Sequence, residues 1–291
     1  MFDAYKQQKI DVNGTGINFR IGGNGPGLLL LHGHPQTHVM WHKVADSLAR
    51  HFTVVAADLR GYGDSDKPPA EDDHQSYSKR SMASDMVALM RELGFARFSI
   101  LAHDRGARVA HRLAMDHAAA VERMILLDIA PTLAMYEQTD QAFARAYWHW
   151  FFLIRPAPLP EALIEHDPEL YLRSVMGARS AGLKPFTDAA LSEYMRCLGL
   201  PGTAMAICED YRASASLDLA HDRADLEAGR KLECPLLVMW GANGTVGQCF
   251  APLQEWQRVA SNVNGKALPA GHYIAEEVPD SLLQEALAFL T

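Results

Sequence analysis

Short apolar runs alternate with amphipathic helical segments along most of this 291-residue sequence, which predicts an α/β protein with a mostly parallel sheet. Two further observations support this fold class. The runs are continuously apolar, as strands covered on both faces require, and the alternation stops between Leu127 and Cys234, where only helical patterns occur. We therefore expect an α/β core, residues 1–130 and 228–291, that carries an all-helical insertion, residues 131–227.

The strands are predicted in order along the chain. An alternating start covers Gln8–Phe19, and the glycine-rich residues 22–27 lead into the apolar run Leu28–Leu31. Further short apolar runs bounded by turn or helix signals are predicted as strands, namely Phe52–Ala57, Phe98–Ala102, Met124–Leu127, Leu236–Trp240 and Lys266–Leu268. The glycine-rich stretch precedes its strand, whereas a dinucleotide-binding fingerprint follows a strand and opens a helix, so we exclude a Rossmann site.

The helices are predicted from apolar residues at three- and four-residue spacing. Outside the insertion they are His38–His51, Lys79–Leu93, Arg105–His117 and Ser281–Leu290, and Gly94 ends the second of them. Within the insertion, aromatic-rich helical segments are separated by proline-rich joints such as residues 155–160. The insertion is therefore expected to form an accessory helical unit.

Composition and charge narrow the functional classes. The chain is 48% hydrophobic and 21% charged with a net charge of −8, which is typical of a globular protein and unfavourable for nucleic-acid binding. Neither an apolar leader nor a membrane-spanning run of about 20 residues occurs, so we expect cytoplasmic residence and no membrane partner. A second copy of the chain, in a homodimer, is the one macromolecular partner kept open.

The cysteines form no CxxC pair and are expected to be buried thiols rather than disulfides or zinc ligands: Cys197, Cys208, Cys234 and Cys249.

The strand Phe98–Ala102 runs directly into a helix, which is the context of a nucleophile elbow. Small residues are expected two positions before and after the nucleophile, and Ala102 and Gly106 flank Asp104 in this way. At a helix N-terminus the backbone N–H groups and the helix dipole stabilise a carboxylate anion. Asp104 is therefore predicted to be a nucleophile, with a simple N-cap as the alternative.

Two other strand ends carry residues that fit the same chemistry. The strand Leu28–Leu31 ends in HGHPQ (32–36), a loop that supplies one oxyanion donor in such folds, while the other donor follows the nucleophile. These donors are the backbone N–H groups of His34 and Arg105. His272 follows the last predicted strand, where a general base is delivered, so Asp104 and His272 occur in the expected order.

Taken together, these motifs resemble the α/β-hydrolase superfamily over nearly the whole chain and, more narrowly, the haloacetate (fluoroacetate) dehalogenases. The resemblance rests on HGHPQ (32–36), DLRGYGDSDKP (58–68), HDRGAR (103–108), LDIAPT (127–132), YWHW (147–150), CEDYRA (208–213) and GHY (271–273). It implies the α/β-hydrolase fold, which is a mostly parallel eight-stranded sheet flanked by helices, with an all-helical cap inserted after strand 6.

The acid that supports His272 is predicted to be Asp128. In many α/β-hydrolases the acid follows the penultimate strand, but here Leu236–Trp240 leads into residues 241–247, which contain no acid. Asp128 directly follows the strand Met124–Leu127, and the dehalogenase resemblance also places the acid there. In this role Asp128 holds the tautomer of His272 and stabilises its imidazolium. The alternative is a helix cap that opens the insertion.

An aspartate nucleophile indicates attack on a saturated carbon, because the resulting alkyl ester has a carbonyl group that water can hydrolyse. Arg105 and Arg108 lie three residues apart on one helix face beside Asp104 and match a substrate carboxylate in bidentate fashion. The implied substrate is a small anionic 2-haloacid. The resemblance assigns the halide pocket to three donors, His149, Trp150 and Tyr211. Their N–H and O–H groups suit fluoride. Solvated arginines and ordinary aromatic packing are the alternatives.

The sequence thus predicts hydrolytic dehalogenation without a cofactor. Asp104 displaces halide from the α-carbon of a haloacetate, and water activated by His272 then hydrolyses the Asp104 ester and releases glycolate. Four histidines lie close together in the sequence, His32, His34, His38 and His42. No carboxylate or cysteine accompanies them, so no metal site is predicted.

An epoxide hydrolase with the same Asp-His-Asp machinery is the main alternative. Its cap tyrosines would protonate the epoxide, and the candidates are Tyr147, Tyr171, Tyr194 and Tyr211. Arg105 argues against this function, because epoxide hydrolases and haloalkane dehalogenases resemble each other in placing Trp after the nucleophile. A non-catalytic receptor is disfavoured by the complete catalytic set.

Two residues depart from the dehalogenase pattern. The dehalogenase resemblance implies Phe at the position of His34 and a Trp within residues 175–180, a segment that includes Arg179 and contains no Trp. Both changes widen or polarise the pocket. We expect them to alter the preference among fluoroacetate, chloroacetate and bromoacetate, an order that the sequence does not rank.

Overall fold

A computed structural model describes the whole chain, Met1–Thr291, and its eight-stranded sheet confirms the predicted fold class. The strands are β1 (Lys6–Val12), β2 (Thr15–Gly23), β3 (Gly27–Leu31), β4 (Thr53–Ala57), β5 (Phe98–His103), β6 (Val121–Leu127), β7 (Leu236–Gly241) and β8 (Val263–Leu268). Their order across the sheet is β1-β2-β4-β3-β5-β6-β7-β8. The β1–β2 and β2–β4 pairs are antiparallel, and every other neighbouring pair is parallel.

Helices connect the strands, and no strand interrupts the long segment between β6 and β7. The first three helices are α1 (Ala45–Leu48), α2 (Lys79–Glu92) and α3 (Asp104–Asp116). The segment after β6 forms α4 (Thr132–Glu137), α5 (Gln141–Ala146), α6 (Trp148–Leu153), α7 (Leu159–His166), α8 (Pro168–Met176), α9 (Asp188–Leu198), α10 (Thr203–Ser214) and α11 (Leu217–Glu227). After β7 follow α12 (Thr245–Cys249), α13 (Pro252–Val259), α14 (Ile274–Glu277) and α15 (Pro279–Leu290). Short 3₁₀ turns cover His38–Trp41, Gln75–Tyr77 and Ala118–Ala120. We call α4–α11 the cap, and its proposed limits remain residues 131 and 227.

The parallel register brings the predicted site residues to one edge of the sheet. Strands β3 and β5 are buried throughout, as their continuous apolar sequences require. Leu31 pairs with Ala102, and His103 pairs with Leu127 on β6. The residues that follow these strands, including Asp104 and Asp128, therefore emerge side by side at the carboxyl edge, where open α/β sheets bind their ligands.

Two elements differ from their predictions. The alternating start is not one strand but the hairpin β1–β2, whose turn residues Asn13 and Gly14 have positive φ angles of 53° and 73°. An Asn-Gly pair favours this two-residue turn, so the signal was present in the sequence. The predicted helix His38–His51 is divided into a 3₁₀ turn and α1, because tertiary packing that fully buries Trp41 and Val44 overrides a continuous helix.

The cap packs directly onto the core. Its aromatic side chains Phe143, Tyr147 and Trp150 belong to the same hydrophobic cluster as the strands. In addition, Trp256 on α13 donates a hydrogen bond to the carbonyl of Ile129, two residues before the insertion (3.0 Å). None of the helices combines the length and the apolar content that a membrane crossing needs. Cytoplasmic residence and a homodimer stay predictions.

Candidate active site

Asp104 lies at a sharp turn between β5 and α3. Its backbone has a φ of 44°, a left-handed conformation that is strained for a residue with a side chain. The turn is tight, because Gly106 donates its N–H to the carbonyl of His32 (2.8 Å) and a Cβ atom on Gly106 would lie 2.5 Å from that oxygen. The turn therefore presents the Asp104 carboxylate beyond the end of the strand, as a nucleophile elbow does.

His272 lies between the two aspartates that the sequence singled out. Its Nδ1 is 2.6 Å from Oδ2 of Asp128, and its Nε2 is 3.7 Å from Oδ2 of Asp104. The N–H of Gly241, at the end of β7, donates to the other oxygen of Asp128 (2.9 Å). The structure thus brings the three predicted catalytic residues together, with Nε2 of His272 facing Asp104 without a hydrogen bond to it.

The charges around these residues suit an anionic nucleophile and a neutral base. Burial, helped by the guanidinium of Arg179, lowers the pKa of His272 to about 3, so its imidazole is neutral at physiological pH. Burial alone would raise the pKa of Asp104, but electrostatic interactions with the rings of His272 and His103 and with the guanidiniums of Arg108 and Arg105 hold that pKa well below its usual range. Burial raises the pKa of Asp128, and the N–H of Gly241 opposes this shift. A neutral His272 with its Nδ1–H toward Asp128 offers Nε2 as the acceptor for a proton.

The backbone N–H of His34 points at the nucleophile. It lies 3.5 Å from Oδ1 of Asp104, at the limit of a hydrogen bond. The second predicted oxyanion donor, the N–H of Arg105, belongs to the residue directly after Asp104 in the first turn of α3. One carboxylate oxygen of Asp104 is therefore near a backbone donor, while the other faces His272.

Arg108 is a buried cation without a salt bridge. Its Nη1 donates to Oγ1 of Thr132 (2.8 Å), its Nη2 contacts Sδ of Met135 (3.2 Å), and its Nε has no partner. The guanidinium also lies over the ring of Trp150, with Cζ 4.7 Å from the ring centroid. Since unpaired buried charge is costly, the arrangement is expected to bind an anion.

Arg105 has a partner that the sequence analysis missed. Asp210, on α10 of the cap, accepts bonds from Nε (2.9 Å) and Nη2 (2.7 Å) of Arg105, and its backbone carbonyl accepts a third bond (3.0 Å). Only Nη1 of Arg105 is left without a partner. Lys79 and the hydroxyl of Tyr62 also donate to the Asp210 carboxylate. The one available signal was an acid beside Tyr211 in CEDYRA. Arg105 therefore offers a substrate one free donor, and Arg108 supplies the uncompensated charge.

The three predicted halide donors lie close together and are buried. The ring of Tyr211 is 6.0 Å from that of His149 and 6.4 Å from that of Trp150, measured between centroids. Neither the hydroxyl of Tyr211 nor Nε1 of Trp150 has a hydrogen-bond partner. Arg105 lies over the ring of Tyr211 at 4.0 Å, which joins this group to the residues beside Asp104. Unpartnered buried donors are rare in folded proteins, so the group is expected to receive an acceptor from a ligand.

Both departures from the dehalogenase pattern border this region. The ring of His34 stacks on that of His149 (5.9 Å, 18° between planes), and its Nε2 is 2.9 Å from the hydroxyl of Tyr171. Arg179 lies in the segment between α8 and α9, with Cζ 4.1 Å from the ring centroid of Tyr147. The hydroxyl of Tyr147 is in turn 3.5 Å from Nδ1 of His272.

The neighbouring histidines and the cysteines have structural surroundings. His32 accepts the N–H of Leu59 at Nε2 (3.0 Å), and His38 pairs with Asp58 (2.8 Å). No group of three or more His, Cys, Asp or Glu side chains has the geometry of a metal site. All four cysteines are unpaired. Two of them are only partly buried, in contrast to the prediction, namely Cys234 and Cys249.

Comparison with known proteins agrees with this geometry. The family model for the alpha/beta hydrolase fold matches residues 26–276. A fluoroacetate dehalogenase from a Burkholderia species is 43% identical over 100% of this chain and 95% of its own, and the soluble epoxide hydrolase of Corynebacterium sp. (strain C12) is 35% identical over 96% and 94%. The crystal structure of a Nostoc sp PCC 7120 protein assigned to the alpha/beta hydrolases superposes with a TM-score of 0.97, at 50% identity over 100% and 99% of the two chains.

These similarities extend over the core and the cap alike. The sharp turn at Asp104, the mostly parallel eight-stranded sheet and the helical insertion after β6 all occur as the sequence motifs predicted. The chain therefore belongs to the α/β-hydrolase family, and its full-length similarity to a fluoroacetate dehalogenase confirms the predicted resemblance to the haloacetate dehalogenases.

Proposed function

We propose that the protein hydrolyses small 2-haloacids, converting a haloacetate and water into glycolate and halide through an ester of Asp104. The observation that carries the proposal is the pairing of an anionic nucleophile with a buried cation, Arg108, that has no salt bridge. The carboxylate of a haloacid supplies Arg108 with a hydrogen-bonded carboxylate partner, which a neutral substrate does not provide. The Burkholderia fluoroacetate dehalogenase supports this assignment.

In the first step the substrate carboxylate bonds to Arg108 and to the free Nη1 of Arg105. An oxygen of Asp104 attacks the α-carbon, and the carbon–halogen bond breaks with its electron pair leaving on the halide. The departing anion receives hydrogen bonds from His149, Trp150 and Tyr211, two of which have unpartnered donors before substrate binds. This step leaves a glycolyl ester on Asp104.

In the second step His272 accepts a proton from water at Nε2, and the hydroxide attacks the carboxyl carbon of Asp104. The N–H groups of His34 and Arg105 stabilise the resulting oxyanion. Asp128 holds the Nδ1–H of His272 and stabilises the imidazolium. Collapse of the intermediate expels the glycolate oxygen, which takes the proton from His272. Asp104 is left as the carboxylic acid, and loss of its proton to solvent regenerates the carboxylate, so that one proton is released for each halide.

An epoxide hydrolase is the second candidate. The Corynebacterium relative has this activity in its name, and the unpartnered hydroxyl of Tyr211 is a suitable proton donor for an opening epoxide. A neutral epoxide, however, gives no counter-ion to Arg108. This difference in charge is why we place the haloacid first.

Two measurements test the proposal on the purified protein. Halide release from chloroacetate and fluoroacetate is expected, with little turnover of styrene oxide; the opposite preference would favour the epoxide hydrolase. A single turnover in ¹⁸O-labelled water, with enzyme in excess, is expected to give unlabelled glycolate and to label Asp104. Label in the glycolate of that first turnover would mean direct attack by water and would remove the ester from the mechanism.

A further inference from the structure

His34 contributes a side chain to the pocket as well as its backbone N–H. Its ring is stacked on that of His149 and lies edge-on to that of Tyr211, with 5.5 Å between the centroids. The side chain is buried, and Nδ1 has no hydrogen-bond partner. The imidazole of His34, with Nδ1 unpartnered, is therefore buried beside the rings of two proposed halide donors, His149 and Tyr211.

The bond to Tyr171 determines which nitrogen of His34 carries the proton. Burial lowers the pKa of His34 to about 3 and raises the pKa of Tyr171 well above its ordinary value, so a neutral imidazole meets a protonated phenol. Nε2 of His34 is the only hydrogen-bond partner of the Tyr171 hydroxyl (2.9 Å). The hydroxyl is assigned as the donor, because the reverse direction would leave both the phenol O–H and Nδ1 of His34 without a partner. A neutral imidazole has a single N–H, so the hydrogen lies on Nδ1.

We propose that the Nδ1–H of His34 is a further hydrogen-bond donor to the departing halide, and that Tyr171 is the positioning residue that fixes this tautomer. The inference rests on the proposed dehalogenase function. No proton is transferred: the carbon–halogen bond breaks, the electron pair stays on the halide, and the halide accepts the hydrogen bond. The phenylalanine expected at this position has no such donor.

The extra donor has a consequence for substrate preference. A small, hard halide gains more from a hydrogen bond than a large, diffuse one, so His34 favours fluoroacetate and chloroacetate over bromoacetate. The Phe variant His34→Phe removes the ring donor but keeps the backbone N–H that serves as oxyanion donor. We expect kcat/KM to fall about tenfold for fluoroacetate and about threefold for chloroacetate, with a smaller loss for bromoacetate.

The test measures the ratio of kcat/KM for chloroacetate to that for bromoacetate, by halide release, with fluoroacetate alongside. A ratio from one preparation is independent of the fraction of enzyme that is folded. Since kcat/KM reports the steps up to halide departure, slow ester hydrolysis does not mask the effect. Tyr171→Phe is expected to lower the ratio less than His34→Phe, and the double variant is expected to equal His34→Phe, because Tyr171 acts only through His34.

Tyr5→Phe is the matched control. The buried hydroxyl of Tyr5 is also unpartnered, but the Tyr5 ring packs against Phe2, near the first strand and not in the pocket. The chloroacetate-to-bromoacetate ratio of Tyr5→Phe is expected to equal that of the wild type. A His34→Phe ratio equal to the wild-type ratio would overturn the inference while leaving the proposed function intact, and so would additive losses in the double variant. A wild type that releases no halide from any haloacid would overturn the proposed function itself, and this inference with it.

Discussion

Two arginines one helical turn apart on α3 provide a direct test of the substrate-binding charge. Arg108 and Arg112 are equally buried, each with a side-chain exposure of about 3%. Arg108 has no salt bridge, whereas Arg112 pairs with Asp225 (2.6 Å) and Asp116 (2.8 Å). We therefore expect Arg108→Met to lower activity with little effect on stability, and Arg112→Met to lower stability with little effect on activity.

For Arg108→Met we expect the free energy of unfolding to change by less than about 1 kcal/mol. The variant loses the bond to Thr132 and the attraction of Asp104, but it also removes a buried cation, and these contributions offset each other. For Arg112→Met we expect a loss of about 3 kcal/mol, the low end for a broken buried pair, because Asp116 and Asp225 are partly exposed and Asp225 retains Arg230.

The expected activities are reversed. Arg108→Met loses charge-assisted bonds to the substrate carboxylate, which are worth about 3 kcal/mol together and correspond to a loss of roughly a hundredfold in kcat/KM for chloroacetate. Arg112→Met should keep the wild-type value per folded molecule. Urea unfolding and chloride release measure the two quantities. If Arg108→Met keeps its activity, or loses more than about 2 kcal/mol of stability, Arg108 is a structural residue and the argument from unpaired charge is wrong.

Three other outcomes are expected. Asp104→Asn should slow halide release at least about a thousandfold, since an amide is a poor nucleophile, and a wild-type rate without deamidation back to Asp would exclude the ester. Arg179→Gln should raise the pKa of His272 by roughly one unit. Because the neutral imidazole is the form that acts in ester hydrolysis, the acid limb of the single-turnover rate of glycolate release moves to higher pH, and an unmoved limb would show that Arg179 does not influence the base. Asp210→Asn leaves Arg105 and Lys79 buried without their shared carboxylate and should cost about 3–5 kcal/mol in urea unfolding. Adding Lys79→Met should recover part of that loss, and strict additivity would argue against a shared cluster.

Much of the fold was predictable because its signals are local. Continuous apolar runs identify strands that are covered on both faces, and β3, β5 and β7 occur where such runs were found. The errors are also local. Asn13 and Gly14 form a hairpin turn inside the predicted alternating strand. The helix predicted after HGHPQ is divided, because packing around the buried Trp41 outweighs the helical periodicity of the sequence. Neither error moves a site residue, because the strand ends that carry the site follow from the parallel register alone.

The positions of the proposed catalytic residues could be predicted from the amino-acid sequence. Asp104 and Asp128 each follow a strand directly, and His272 follows β8 after three residues. Strands in parallel register bring their carboxyl ends to one edge, so the proximity of the three residues follows from topology. Tertiary structure alone decided which charges around them are paired. Asp210 lies 105 residues from Arg105, and Tyr171 lies 137 residues from His34, each reaching across from the cap to the core. The periodicity of apolar residues in the sequence predicts which face of a helix is buried. It does not predict which side chain from a distant helix contacts that face. The pairing that leaves Arg108 free and sets the tautomer of His34 therefore depends on how the cap packs onto the sheet.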